Sequence, residues 1–213
     1  MANDEDPADA RQLVGTTRLE AFSDGVFAIA ITLLVLEIAI HPPGTPLEQV
    51  LDAWPSYLAY VVSFLTIGAA WLGHTALTDR LRAADPILLR LNLLLLLVVG
   101  FLPFPTRLVS EALHDVDAER VFATMYGLTL LGIRVFGFVL DEYARREHLF
   151  SAEPESDELR RERRTLLPVV GGYVIAILVA LVLPRAAVGL YCAIGIYLVV
   201  PFRTVARLLF PRA

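Results

Sequence analysis

The chain contains no lysine, a single cysteine and few charges of any kind, with Asp, Glu and Arg together making up 19% of its 213 residues. One thiol closes neither an internal disulfide nor a metal site, so Cys192, set in an apolar run, is expected to be a small buried hydrophobe. So low a charged fraction excludes a disordered or nucleic-acid-binding chain. That all 18 basic residues are arginine is a compositional bias that implies no mechanism. Polar cover is missing too. The hydrophobic residues, 56% of the total, come in long uninterrupted blocks that a water-facing surface would not tolerate, which excludes a soluble globular domain. These blocks hold Leu, Val and Ile without period-two alternation, which excludes a membrane β-barrel. No internal repeat is visible, so any pore symmetry has to come from association of identical copies.

What is present is a set of six apolar segments, each near the ~20 residues a helix needs to cross ~30 Å of hydrocarbon. They lie at about 19–40, 54–78, 86–110, 118–142, 165–184 and 186–208. Pro and Gly fill the gaps, as in HPPGTP and in the LPR that forces a hairpin between the last two. The expected architecture is an all-α integral membrane protein with one six-helix transmembrane domain, residues 16–213, preceded by a flexible cytoplasmic tail, residues 1–15. The opening MANDEDPADA is acidic and lacks the positive region of a secretory signal.

Arginine placement sets the orientation. Arg80, Arg82 and Arg90 flank the second loop, and Arg145, Arg146, Arg160, Arg161, Arg163 and Arg164 crowd the fourth. The first loop has none, and the third and fifth hold Arg107, Arg120 and Arg185. By the positive-inside rule both termini are expected to be cytoplasmic, in a multi-pass protein of the cell membrane. Residues 141–164 are expected to carry the fourth helix into water as a solvated connector, up to a break at Pro154.

The first segment, TRLEAFSDGVFAIAITLLVLEIAI, carries the candidate site. Asp24, about one turn inside its cytoplasmic end, is costly in a bilayer unless paired. At 100° per residue, Leu33, Leu36 and Ile40 fall within about 40° of Ile29, forming a continuous apolar stripe. Asp24 and Ser23 are turned away from that stripe, toward neighbouring helices. The stripe is either a lipid or packing face or a hydrophobic pore lining, and the pattern alone does not choose. Thr32, beside it, either hydrates a passing cation or bonds back to the Ala28 carbonyl. Glu37 flanks the outer end, where carboxylates from several copies would concentrate cations and a single one would be an interfacial charge. In the fourth helix, Arg134 must snorkel or pair, with Asp141 and Glu142 as the companions within reach.

The run Arg18, Phe22, Ser23, Asp24, Gly25 resembles the R-x-x-x-F-S-D-G signature of the transmembrane protein 175 family, which comprises endolysosomal and bacterial potassium channels. Trp71, His74, Asn92 and the LPFPT run at 102–106 resemble further features of that family. The resemblance implies a homotetramer of six-helix subunits with the first helix of each lining a central pore. It implies a hydrophobic constriction or gate at Ile29, Leu33 and Leu36 and a selectivity-assisting hydroxyl at Thr32, with Glu37 then at the outer mouth. It also implies a structural network in which Arg18, Ser23 and Asp24 bond across helices with Trp71, His74 and Asn92. No TVGYG run occurs in the sequence, so selectivity for potassium over sodium is expected to be modest. The implied partners are potassium ions, the lipid bilayer and further copies of the chain. No cofactor, resident metal, enzymatic activity or nucleic acid is expected.

Two other readings stay open. A secondary transporter would show inverted repeats and broken helices. A proton-sensitive or proton-permeable channel would use Asp24 and His74 as a titrating pair. An intramembrane enzyme would need His74, His114 and His148 to converge, and the latter two fall in loops on opposite sides.

Overall fold

The computed structural model describes residues 13–199 apart from 39, 41, 113–115 and 153–155, with 112, 116–117 and 156–166 described in backbone only. Most of the expected tail, the end of the sixth segment, His114 and Pro154 lie outside the described residues. Hydrocarbon offers no water to take up backbone N–H and C=O groups, so each apolar segment must satisfy its own. Every long element is accordingly a helix. α1 (Thr17–Leu33) continues into a 3₁₀ turn (Leu34–Glu37), and α2 (Pro46–Asp52) is short. Then come α3 (Trp54–Thr78), α4 (Pro86–Phe101), α5 (Pro103–Ala112), α6 (Val116–Arg146), α7 (Ser156–Ala180) and α8 (Pro184–Val199). Among the described residues, four stretches are long and apolar enough to cross a membrane: Thr17–Glu37, Trp54–Thr78, Pro86–Glu111 and Ala118–Arg146. Among the described residues, Leu167–Ala180 and Pro184–Val199 are shorter apolar helices. The chain is a multi-pass, all-helical membrane protein.

Several boundaries depart from the expected ones for identifiable reasons. The first segment is α-helical up to Leu33, tightens to 3₁₀ through Glu37 and turns extended at Ile38 (φ −77°, ψ 101°). Ile40, expected on the helical stripe, therefore lies beyond the helix. The third segment is interrupted at Leu102, because Pro103 has no N–H to donate and its ring excludes the carbonyl four residues back. α5 then restarts with the Thr106 N–H donating to the Leu102 carbonyl at 3.1 Å. The first loop holds a helix because Thr45 and Glu48 cap each other reciprocally, with Pro46 in the first turn.

α6 does outrun the bilayer, at about 46 Å for 1.5 Å per residue. It ends at Arg146, well short of Pro154. His148 adopts φ 53°, and the Leu149 N–H turns back to the Ala144 carbonyl at 2.9 Å. Residues 149–151, just beyond this turn, are pinned. Leu149 and Phe150 are buried, the Arg82 N–H donates to the Leu149 carbonyl at 3.0 Å, and the Ser151 N–H donates to the Arg80 carbonyl at 2.8 Å. Val14, expected in the flexible tail, exchanges two backbone bonds of 2.9 Å with Ala84.

α6 is the hub, packed against α3, α4, α5, α7 and α8, while α1 rests on α3 and α4. Three fully buried tyrosines meet at the centre, Tyr191 edge-on to Tyr126 at 5.7 Å between ring centroids and stacked with Tyr173 at 6.4 Å. The Tyr126 hydroxyl lies 2.8 Å from Ser63 Oγ, which is 2.7 Å from Thr106 Oγ1. A side chain on Gly127 would overlap the Tyr191 hydroxyl, so glycine is what lets α6 and α8 approach there. Cys192 is a free thiol, partly buried at the edge of this core.

Charges gather at the two ends. At the Arg-rich end Asp141 takes Arg80 and Arg145 at 3.1 Å each, and Glu142 takes Arg145 and Arg146 at 2.7 Å each. At the other end the buried Glu119 takes Arg185 at 2.9 Å. The companions expected for Arg134 are thus engaged elsewhere, and Arg134 forms no ion pair among the described residues.

Candidate functional site on the first helix

The 3.6-residue period divides α1 into two faces. Leu19, Ser23, Phe27, Ala30 and Leu34, spaced by three and four residues, are buried against neighbouring helices. On the opposite side Phe22, Ile29, Leu33 and Leu36 are 57%, 61%, 41% and 74% exposed. Gly25, Ala28 and Thr32, between them, are equally bare. No helix of the described subunit covers this face. In the 3₁₀ turn three residues complete a revolution, so Leu36 eclipses Leu33 and the stripe continues through the change of winding.

The Thr32 hydroxyl donates to the carbonyls of Ala28 (3.0 Å) and Ile29 (2.9 Å). Its proton is committed to the helix, which leaves its oxygen lone pairs as the groups on offer to a cation. Glu37 closes the 3₁₀ turn, half-buried, at the end of the stripe.

The buried face is held by polar contacts. Asn92 on α4 donates through Nδ2 to Ser23 Oγ at 2.9 Å. Its Oδ1 is left to accept, and His74 Nε2 on α3 lies 2.8 Å from it. His74 must therefore carry its proton on Nε2. Ser23, Asn92 and His74 are all less than 5% exposed. This relay satisfies groups that would each cost about 1–3 kcal/mol if stranded. The Phe27 ring covers the imidazole, 5.4 Å away and tilted by 57°.

Asp24, one residue along and exposed, accepts from Trp71 Nε1 at 2.9 Å. Asp24 is thus bonded to Trp71, and His74 to Asn92. Arg18 is exposed and makes no hydrogen bond or ion pair with the described residues. A side chain on Gly25 would meet nothing, so nothing inside the subunit requires glycine at that position. His148 lies in the turn after α6, at the Arg-rich end, far along the chain from this network. Sequence reasoning did not find the Ser63–Thr106–Tyr126 hydroxyl cluster. The available signal was that each of these polar groups, set in an apolar span, needs a partner.

Fold and site define a multi-pass helical membrane protein whose first helix is tethered on one side by polar side chains and left bare on the other. The sequence model of a family described as the endosomal/lysosomal potassium channel TMEM175 matches residues 18–103, a stretch that contains the whole network. A potassium channel of Streptomyces collinus is 42% identical over 150 residues, 68% of this chain and 73% of its own length. A potassium channel of Chamaesiphon minutus is 36% identical over 189 residues, 85% of this chain and 92% of its own. The crystal structure of a lysosomal potassium-selective channel TMEM175 homolog from Chamaesiphon minutus matches with a TM-score of 0.74 and 34% identity, covering 86% of this chain and 95% of that one. The chain belongs to the TMEM175 family. The relatives it matches are ion channels and not enzymes.

Proposed function

We propose that the chain is the subunit of a potassium channel in which the bare face of α1 lines the ion path. Family membership supports the activity, and the observation that carries the assignment is the exposure of Ile29, Leu33 and Leu36 opposite a fully packed face. Four copies around one axis would bring these faces together, with α7 and α8 completing six spans per subunit. In this reading the Arg-rich end and both termini lie in the cytoplasm and the assembly sits in the cell membrane.

Rings of Ile29, Leu33 and Leu36 form a constriction that hydrated ions cross poorly and that closes by dewetting. Thr32 oxygens at that level replace part of the lost hydration, and Glu37 carboxylates concentrate cations at the outer mouth. With no carbonyl filter, discrimination between potassium and sodium is modest. The Ser23–Asn92–His74 relay acts as scaffold by setting the rotation of α1. A slip of one residue would turn the helix by 100° and carry Ile29 out of line.

The test is the purified chain in liposomes with an outward potassium gradient and a flux dye. Passive potassium efflux exceeding that of sodium is expected. Absence of flux would remove the channel reading, and saturable uptake coupled to a counter-ion would replace it with a transporter.

A further inference from the structure

A cavity of about 260 Å³, with none of its lining residues on α1, lies between α3, α4 and α6. Its walls are largely apolar, with Ala70, Leu77, Leu95, Ile133 and Phe138 among them. Four polar side chains also line it: His74, Arg80, Arg134 and Asp141. The charges do not balance. Both oxygens of Asp141 are taken, Oδ1 by Arg80 and Oδ2 by Arg145 at 3.1 Å each. Arg134 Nε is buried with no hydrogen-bond partner, and its guanidinium forms no ion pair among the described residues. Arg134 lies seven residues before Asp141, about 10 Å deeper along α6. A cation so deep in a membrane span is strongly disfavoured without a counter-charge.

The cavity is also kept open by two glycines. Gly73 and Gly137 both line it, and a Cβ on either would meet no atom within 4 Å. Glycine within a helix weakens it relative to alanine, and here nothing in the packing demands glycine. The space is preserved where an ordinary side chain would fit.

We propose that this cavity is a binding site for a small amphiphilic anion, a phosphate group carrying a short alkyl chain. The phosphate pairs with the Arg134 guanidinium, whose fork of N–H donors matches two phosphate oxygens. The chain lies along the apolar walls. The volume suits a single short alkyl chain. The site stands apart from the ion path and does not depend on the channel reading. It does share His74 with the relay that orients α1, so its occupant touches the scaffold of the pore helix.

The experiment is binding of hexyl phosphate to the full chain in a neutral detergent, read by native mass spectrometry and by the shift in thermal unfolding, beside inorganic phosphate and hexanol. Saturable binding of one hexyl phosphate per chain is expected, with hexanol much weaker. Arg134→Gln is expected to weaken it about tenfold or more, the loss of a charge-assisted pair. Gly137→Leu keeps Arg134 and fills the space, and is expected to abolish binding while leaving the unliganded protein folded. Equal binding of hexanol, or affinity unchanged in both variants, would overturn the proposal. Inorganic phosphate binding as tightly as its hexyl ester would overturn the amphiphile in favour of a water-soluble anion.

Discussion

At the scale of single residues, the decisive side chains are Ile29 on the bare face of α1 and Asn92 behind it. Ile29→Asn is expected to raise single-channel conductance severalfold and to bring potassium and sodium permeabilities closer together, because a polar ring no longer dewets. An unchanged current would sink that assignment. Asn92→Leu strands both the Ser23 hydroxyl and the His74 N–H, at about 1–3 kcal/mol for each buried group. Thermal unfolding in detergent should show the loss. Asp24 is bonded to Trp71 while His74 serves Asn92, so the two share no direct hydrogen bond. Asp24→Asn, whose carbonyl oxygen still accepts from Trp71, is expected to assemble and to keep the wild-type response of current to pH; loss of that response would restore the proton-sensing reading. The polar residues of the relay stand out in the sequence because each is conspicuous in an apolar span. Who bonds whom does not, since pairing depends on helix rotation. Arg134 shows the limit most clearly: the spacing to Asp141 suits a partner on the same face, yet Arg80 from just past the end of α3 and Arg145 from the next turn of α6 occupy that carboxylate.

At the scale of elements, length and hydropathy define spans well and ends poorly. The segment expected at 54–78 coincides with α3 (Trp54–Thr78). The end of α1 is not legible, because nothing in LVLEIAI announces a change from α to 3₁₀ winding. α2 falls in a stretch expected as loop, although Thr-Pro-Leu-Glu is a capping-box pattern with proline at the first position. The approach of α6 to α8 rests on Gly127, and Gly127→Ala would push into the Tyr191 hydroxyl and ring. Tyr191 is fully buried and stacked on Tyr173, so it has little room to yield. A loss of about 1–3 kcal/mol, the usual cost of overpacking, is expected in the unfolding midpoint, whereas Gly137→Ala, facing open space, should be tolerated.

At the scale of the whole molecule, the four-copy reading makes a plain numerical prediction. Native mass spectrometry from a mild detergent should give an assembly four times the 23.5 kDa of one chain, and a monomer alone would remove the shared pore. Membrane class and helical architecture are legible in the sequence, because hydropathy acts over many residues and errors average out. Association is not, since the face that calls for a partner has the same composition as one that faces lipid. That same bare face of α1 has a genetic consequence. In the four-copy reading a substitution there would enter a shared lining once for every subunit, and cells making both normal and altered chains would hold a graded population of mixed assemblies. Altered alleles at Ile29, Leu33 or Leu36 would then act dominantly, while alleles on the buried side, by removing misfolded chains before they assemble, would be recessive.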